Sequence, residues 1–156
     1  MAKLKQNLTR THPAGFSLLE VLVGLIILAV GLLGLAGLQV MSLRQNNDAY
    51  LRSQATLMAY DILDRMRANR SHAIDGRYEI DFDESPASSL PDAVKSDLAL
   101  WKGALSATLP GPGDGSIEMS DNTVVVVTIK WQEKKFRETT DGADTEWLEF
   151  TTQSEL

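Results

Sequence analysis

Residues Gly15 to Gln39 read GFSLLEVLVGLIILAVGLLGLAGLQ, and Val21 to Leu38 within them are eighteen consecutive apolar or glycine positions. At about 1.5 Å of rise per residue, such a run spans ~27 Å as a helix, close to the thickness of a bilayer core. Extension to Phe16 and Met41 gives ample length. The stretch before it, residues 1–15, holds Lys3, Lys5 and Arg10 and no acid. Residues 71–156 hold seven Lys/Arg against seventeen Asp/Glu, a net of −10. A basic leader, an apolar span and an acidic remainder predict the orientation N-in, C-out, because the excess of cations stays on the cytoplasmic side.

The 156-residue chain is 44% hydrophobic and 23% charged, which excludes wholesale disorder. It has no cysteine, so disulfides, thiolate metal sites and cysteine nucleophiles are excluded. The net charge of −6 argues against a general nucleic-acid binder. Two simpler readings of the span compete with a functional one. A secretory signal peptide has a shorter apolar core followed by a small-residue cleavage site, for which LAGLQVMS is a weak candidate. A plain single-pass anchor presenting a periplasmic binding domain is the other.

Neither reading explains Glu20. A carboxylate at membrane depth is costly and needs a partner, yet no Lys or Arg lies within a turn or two of it. Cleavage between Gly15 and Phe16 would create the missing cation, an α-amino group four residues away. The new helix N-terminus would also favour a nearby negative charge.

The residues G-F-S-L-L-E followed by a long apolar stretch resemble the signal of type IV pilins and pseudopilins. In that family the prepilin peptidase cuts after the glycine, here Gly15. The new terminal residue is N-methylated, here Phe16, and the glutamate, here Glu20, sets the register of assembly. The whole of GFSLLEVLVGLIILAVGLLGLAGLQ is most similar to the PilV-type minor pilins, the pilus modification proteins, over residues 15–70. DLALWKGALSATLPGPGDG and the strand ending in Trp131 are similar to the head of that subfamily. Two departures stand out against the major subunits: the position of their mid-span proline is Gly37, and their C-terminal disulfide loop is absent.

The resemblance implies a minor pilin built into type IV pili, in a complex that primes assembly and sits at the tip of fibres serving adhesion and twitching motility. The implied partners are other minor pilins, the major pilin, the prepilin peptidase, the inner-membrane assembly platform and membrane lipid. No nucleic acid and no cofactor are implied. The protein would sit in the bacterial inner membrane before assembly and in the extracellular pilus afterwards. A type II secretion pseudopilin is the alternative, since its N-terminal signal is nearly the same.

From Gln39 to Arg70 there is no Pro and no Gly, and Leu51, Ala55, Met58, Ile62 and Met66 recur at helical steps. This predicts one helix from Phe16 to about Arg70, about 80 Å long, its second half packed on a head by an ordinary core stripe. Gly24, Gly31, Gly34 and Gly37 punctuate the span and allow close helix approach in lipid. The resulting organisation is a leader (1–15), a transmembrane and assembly helix (16–43), an amphipathic half (44–70) and an α/β head (71–156).

In the head, residues 71–89 are loop-like and acidic with a short strand over Arg77–Phe82. Asp81, Asp83 and Glu84 lack the calcium-loop spacing and read as a solvated loop. Pro91 and Asp92 open a helix with Val94, Leu98, Trp101 and Leu105 on one face, and LPGPGDG ends it. Strands are expected at Ile117–Met119, over TVVVVTIKW and over EWLEFTTQ. Together these predict an α+β fold, a long helix on a small antiparallel sheet. Asp141, Asp144 and Glu146 form a weak calcium pattern. His72, Asp75 and Ser71 lie close in sequence, but a triad is a matter of geometry and side chains so adjacent rarely converge; the expectation is a non-enzyme with no catalytic, cofactor or metal residue.

Overall fold

The structure is a computed structural model that describes residues 15–121, 123–134 and 145–156. Its elements are α1 (Leu18–Ala68), α2 (Arg70–Ile74), α3 (Asp92–Thr108), β1 (Asp114–Asp121), β2 (Val124–Lys134) and β3 (Thr145–Glu155). The chain divides into two compact units, Met1–Gln45 and Asn46–Leu156.

Helix α1 begins at Leu18 because Ser17 caps it. The Ser17 hydroxyl accepts the Leu19 N–H at 3.3 Å, and its carbonyl accepts the Glu20 N–H at 3.0 Å. Every residue from 15 to 45 is exposed within the chain.

In the second unit the fold is α+β. The helical residues after Asn46 bury Leu51, Ala55, Ala59, Ile62, Leu63 and Met66 in the core. That stripe is wider than the sequence spacing alone indicated, because Ala59 and Leu63 join it while Met58 is only half-buried. The helix stops at Ala68, where Asn69 turns out of helical geometry (φ −119, ψ 44). Arg65 and Arg67 lie in the last turn, where the helix dipole favours cations. A second short helix, α2, then carries the chain past the predicted boundary near Arg70, and Gly76 at φ 72 turns it away.

Residues Arg77–Phe82 do not form the expected strand. Only Ile80 pairs, as a single bridge to Ile117. Left-handed backbone at Gly76 and at Asp83 (φ 59) limits the extended stretch from both sides. Helix α3 buries Val94, Leu98, Trp101 and Leu105, the expected face. Leu109 is already extended, and Pro110 and Gly111 (φ 69) prevent continuation.

The sheet is antiparallel with the order β1-β2-β3. The β2–β3 register runs without a shift from Val124↔Glu155 to Lys134↔Thr145. β1 is longer than Ile117–Met119 and shifts register between Met119 and Asp121. Val125, Val127, Ile129 and Trp131 alternate into the core against the helices. The Trp101 indole N–H donates to the Met58 carbonyl at 3.0 Å and so ties α3 to α1. Each fully buried side chain of this size contributes about 1.5–3 kcal/mol through removal from water.

Candidate functional site

The first unit presents chemistry of a simple kind. Phe16 is 83% exposed and Leu18 85%, and the apolar side chains as far as Leu43 remain uncovered. The most apolar window of α1 has a mean hydropathy of 2.8 and buries nothing inside the chain. A continuous apolar surface on this scale requires lipid or other helices around it. The helix is long and apolar enough to cross a membrane.

Glu20 is in the first turn of α1, where its charge complements the helix dipole. Ser17 and Glu20 are spaced as a capping box, Ser-x-x-Glu, a signal in the sequence that the membrane-depth reading of Glu20 overlooked. Phe16, Leu18, Val21, Leu22 and Leu25 line a shallow apolar groove beside it. A Cβ placed on Gly15, Gly24, Gly31, Gly34 or Gly37 would meet nothing within 4 Å. Among the described residues these glycines therefore have no packing partner.

The polar groups of the second unit hold the head together. Arg65 bonds Asp61 at 3.0 Å and Asp97 at 3.1 Å, and these two bonds push its pKa up. The Tyr78 hydroxyl donates to Asp97 at 2.8 Å and accepts the Asn69 amide at 3.1 Å. Burial first, then the Asp97 bond, pushes its phenol up to about 12. His72 Nδ1 lies 2.8 Å from Asn69 Oδ1, so its polar partner is this helix-end amide.

The acidic loop is anchored rather than merely solvated. Lys102 Nζ donates to the carbonyls of Asp81 (2.7 Å) and Glu84 (2.8 Å) and pairs with Asp114 at 3.2 Å. Asp83 pairs with Lys130 at 3.1 Å, whose ammonium also lies 4.2 Å from the centroid of Phe82. Burial and a hydrogen bond with Asp48 raise the Glu133 carboxyl, and Asp48 and Glu146 add like charge. Among the described residues, no three His, Cys, Asp or Glu are arranged to hold a metal ion. Asp141 and Asp144, two of the calcium candidates, lie outside the described residues, as do His12 and the leader up to residue 14.

Residues 10–36 match the family model described as the prokaryotic N-terminal methylation motif. The chain carries a type IV pilin-like prepilin signal. That signal spans Gly15, Phe16 and Glu20 and extends over most of the uncovered part of α1. It supports a type IV pilin or pseudopilin, and the α+β architecture of helix, small antiparallel sheet and further helix is consistent with that fold. A prepilin signal implies processing by a prepilin peptidase and association with other pilins. With the apolar helix behind it, the signal fits anchoring in the inner membrane and later incorporation into a pilus. No curated protein and no solved structure matches the chain.

Proposed function

We propose that this chain is a PilV-type minor pilin with a structural rather than a catalytic role. It is made as a membrane prepilin with its N-terminus inside and its head outside. It is cut between Gly15 and Phe16, and the new amino group on Phe16 is methylated. It then joins other minor pilins in a priming complex at the tip, on which the assembly platform adds major pilin. The single supporting observation is a methylation motif lying directly on the capped, uncovered apolar first part of α1.

In this reading Glu20 attracts the free N-terminus of an adjacent subunit and sets the axial register. In a low-dielectric surround that attraction is far stronger than the about 1 kcal/mol it has in water at 4 Å. The open surfaces at Gly24, Gly31, Gly34 and Gly37 admit neighbouring helices at short range.

The test has two parts. N-terminal sequencing of the membrane-purified protein should begin at a methylated Phe16; a chain beginning at Met1 or Ala2 refutes the processing. Deletion of the gene should remove surface pili and leave type II secretion intact. The reverse outcome makes the chain a secretion pseudopilin.

A further inference from the structure

The two edges of the sheet differ. On the β1 side, Ile80 and Ile117 exchange both backbone bonds (3.1 and 2.9 Å), and the Met119 N–H donates to Glu79 Oε1 at 3.3 Å. That edge is occupied. On the β3 side, the direction of the backbone groups follows from one bond. Leu156 N–H donates to the Thr123 carbonyl at 2.9 Å, in line with the register Val124↔Glu155. Hydrogen-bonded and open pairs alternate along an antiparallel ladder. Ser154, Thr152, Phe150 and Leu148 therefore turn their N–H and C=O toward β2. Gln153, Thr151, Glu149 and Trp147 turn theirs outward. The same alternation places the Gln132 N–H away from β3, and it is found bonded to the Pro110 carbonyl at 3.2 Å.

The outward groups of Trp147, Glu149, Thr151 and Gln153 have no partner among the described residues. Only at the end of the strand does Arg67 reach over, to Ser154 Oγ at 2.7 Å and the Glu155 carbonyl at 3.4 Å. Exposed edges are normally blunted by Lys, Pro, bulges or short length. β3 has none of these: it is 11 residues long, contains no Lys, Arg, Pro or Gly, and keeps its register throughout.

We infer that the outer edge of β3 is a docking site for an extended segment of another protein chain, with Lys or Arg on one face at the spacing of Glu149 and Glu155, which adds a fourth strand to the sheet. The side chains flanking the open backbone groups are Trp147, Glu149, Thr151 and Gln153, with Glu155 beyond them, and all are exposed. They carry negative charge and no positive charge. Lys130, the cross-strand neighbour of Glu149, is paired with Asp83 and lies 5.2 Å from the centroid of the Trp147 ring. A second copy of this chain is a poor occupant, since it would set glutamates along glutamates without a cation between them. A strand with basic residues facing Glu149 and Glu155 supplies both the backbone bonds and the opposite charge. The inference rests on the sheet alone and holds whether or not the pilus reading does.

The test uses the full chain in detergent micelles and three synthetic peptides as long as β3, built on alternating Thr and Val. One carries two Lys at the spacing of Glu149 and Glu155, one carries two Glu there, and one is the Lys peptide N-methylated at every second residue. The Lys peptide should bind about tenfold tighter than the Glu peptide at low salt. It should slow amide exchange at Trp147, Glu149, Thr151 and Gln153, and the N-methylated peptide should not bind. Thr151→Pro removes an outward N–H and no ladder bond, so it should abolish binding in a folded protein. Glu149→Lys takes the face from two negative charges to none, so it should cancel the preference for the Lys peptide. Equal binding of all three peptides, no binding of any, or protection absent from the four amides overturns the inference. Concentration-dependent self-association that protects those amides overturns it in favour of a second copy.

Discussion

Replacing Gly115 by alanine tests how β1 lies on α3. A Cβ at Gly115 would fall 2.5 Å from Trp101 Cη2 and 2.9 Å from both Trp101 Cζ2 and Leu105 Cδ1. Ordinary carbon contacts lie at about 3.5–4.0 Å, so roughly 1 Å must be found. The ring has little freedom to give it, because Trp101 is 1% exposed and its indole N–H is fixed on the Met58 carbonyl at 3.0 Å. Leu105 is wholly buried as well. Overpacking of this kind costs about 1–3 kcal/mol, and the clash here is at the severe end. Alanine recovers about 0.5–1 kcal/mol through the loss of glycine's freedom in the unfolded chain. The net loss should be about 2 kcal/mol, or roughly 10 °C in melting temperature for a head of this size. Gly103→Ala is the control: its Cβ would meet nothing within 4 Å on a helix surface, so it should gain about 0.5–1 kcal/mol. Urea unfolding of the detergent-solubilised protein, followed by fluorescence of the head tryptophans, measures both. Trp101→Phe should recover part of the Gly115→Ala loss, since it shortens the obstructing ring. An unchanged midpoint for Gly115→Ala, at an unchanged slope, would falsify the placement of β1 against Trp101.

Gly15→Leu should leave a full-length, membrane-held precursor, because the scissile backbone must be approached closely and a Cβ obstructs it; intact mass measures this, and normal cleavage after residue 15 would sink the site. Glu20→Ala should spare insertion and cleavage but remove the protein from sheared pili, so normal incorporation argues against the pairing role. Lys102→Met leaves Asp114, 14% exposed on its side chain, without its cation and frees two loop carbonyls; it should cost about 3 kcal/mol in urea unfolding, and a loss under about 1 kcal/mol would reduce Lys102 to a surface charge. Because burial and Asp97 raise the Tyr78 phenol from 10.0 to about 12, folding holds its proton more tightly. That contribution is fully present below the unfolded value and is lost as pH climbs through the folded one. Phenolate absorbance should show a late-titrating group that Tyr78→Phe removes.

The helices were legible because their core positions recur at helical spacing and few other forces act on them. Val94, Leu98, Trp101 and Leu105 needed no tertiary information to be placed on one face. The VVVV run was equally plain as a buried strand. What escaped was set by contacts distant in sequence. Asp114, Gly115 and Ser116 have poor strand propensity, yet they extend β1, since Gly115 alone lets the backbone come up against Trp101. Arg77–Phe82 alternates like a strand, but left-handed turns on either side and the hold of Lys102 on the carbonyls of Asp81 and Glu84 leave one bridge. At the N-terminus the motif itself was readable in G-F-S-L-L-E. The capping role of Ser17 was readable too, from the Ser-x-x-Glu spacing, but the apolar surroundings drew the reading toward membrane cost instead.

The core stripe on α1 has a consequence in time. Leu51 to Met66 leave the ribosome well before the strand residues Val125 to Trp131 that cover them. At about 5–20 residues per second the delay is on the order of 3–13 s. The bond from Trp101 to Met58 already crosses 43 residues, and that from Arg67 to Ser154 crosses 87. Contacts so far apart in sequence form late. Through that interval the stripe lacks the cover that β2 gives it, at the end of a helix whose first half is greasy on every side. A chain stalled or truncated before β2 never gains that cover, and so displays to chaperones and proteases apolar surface that marks it as unfinished.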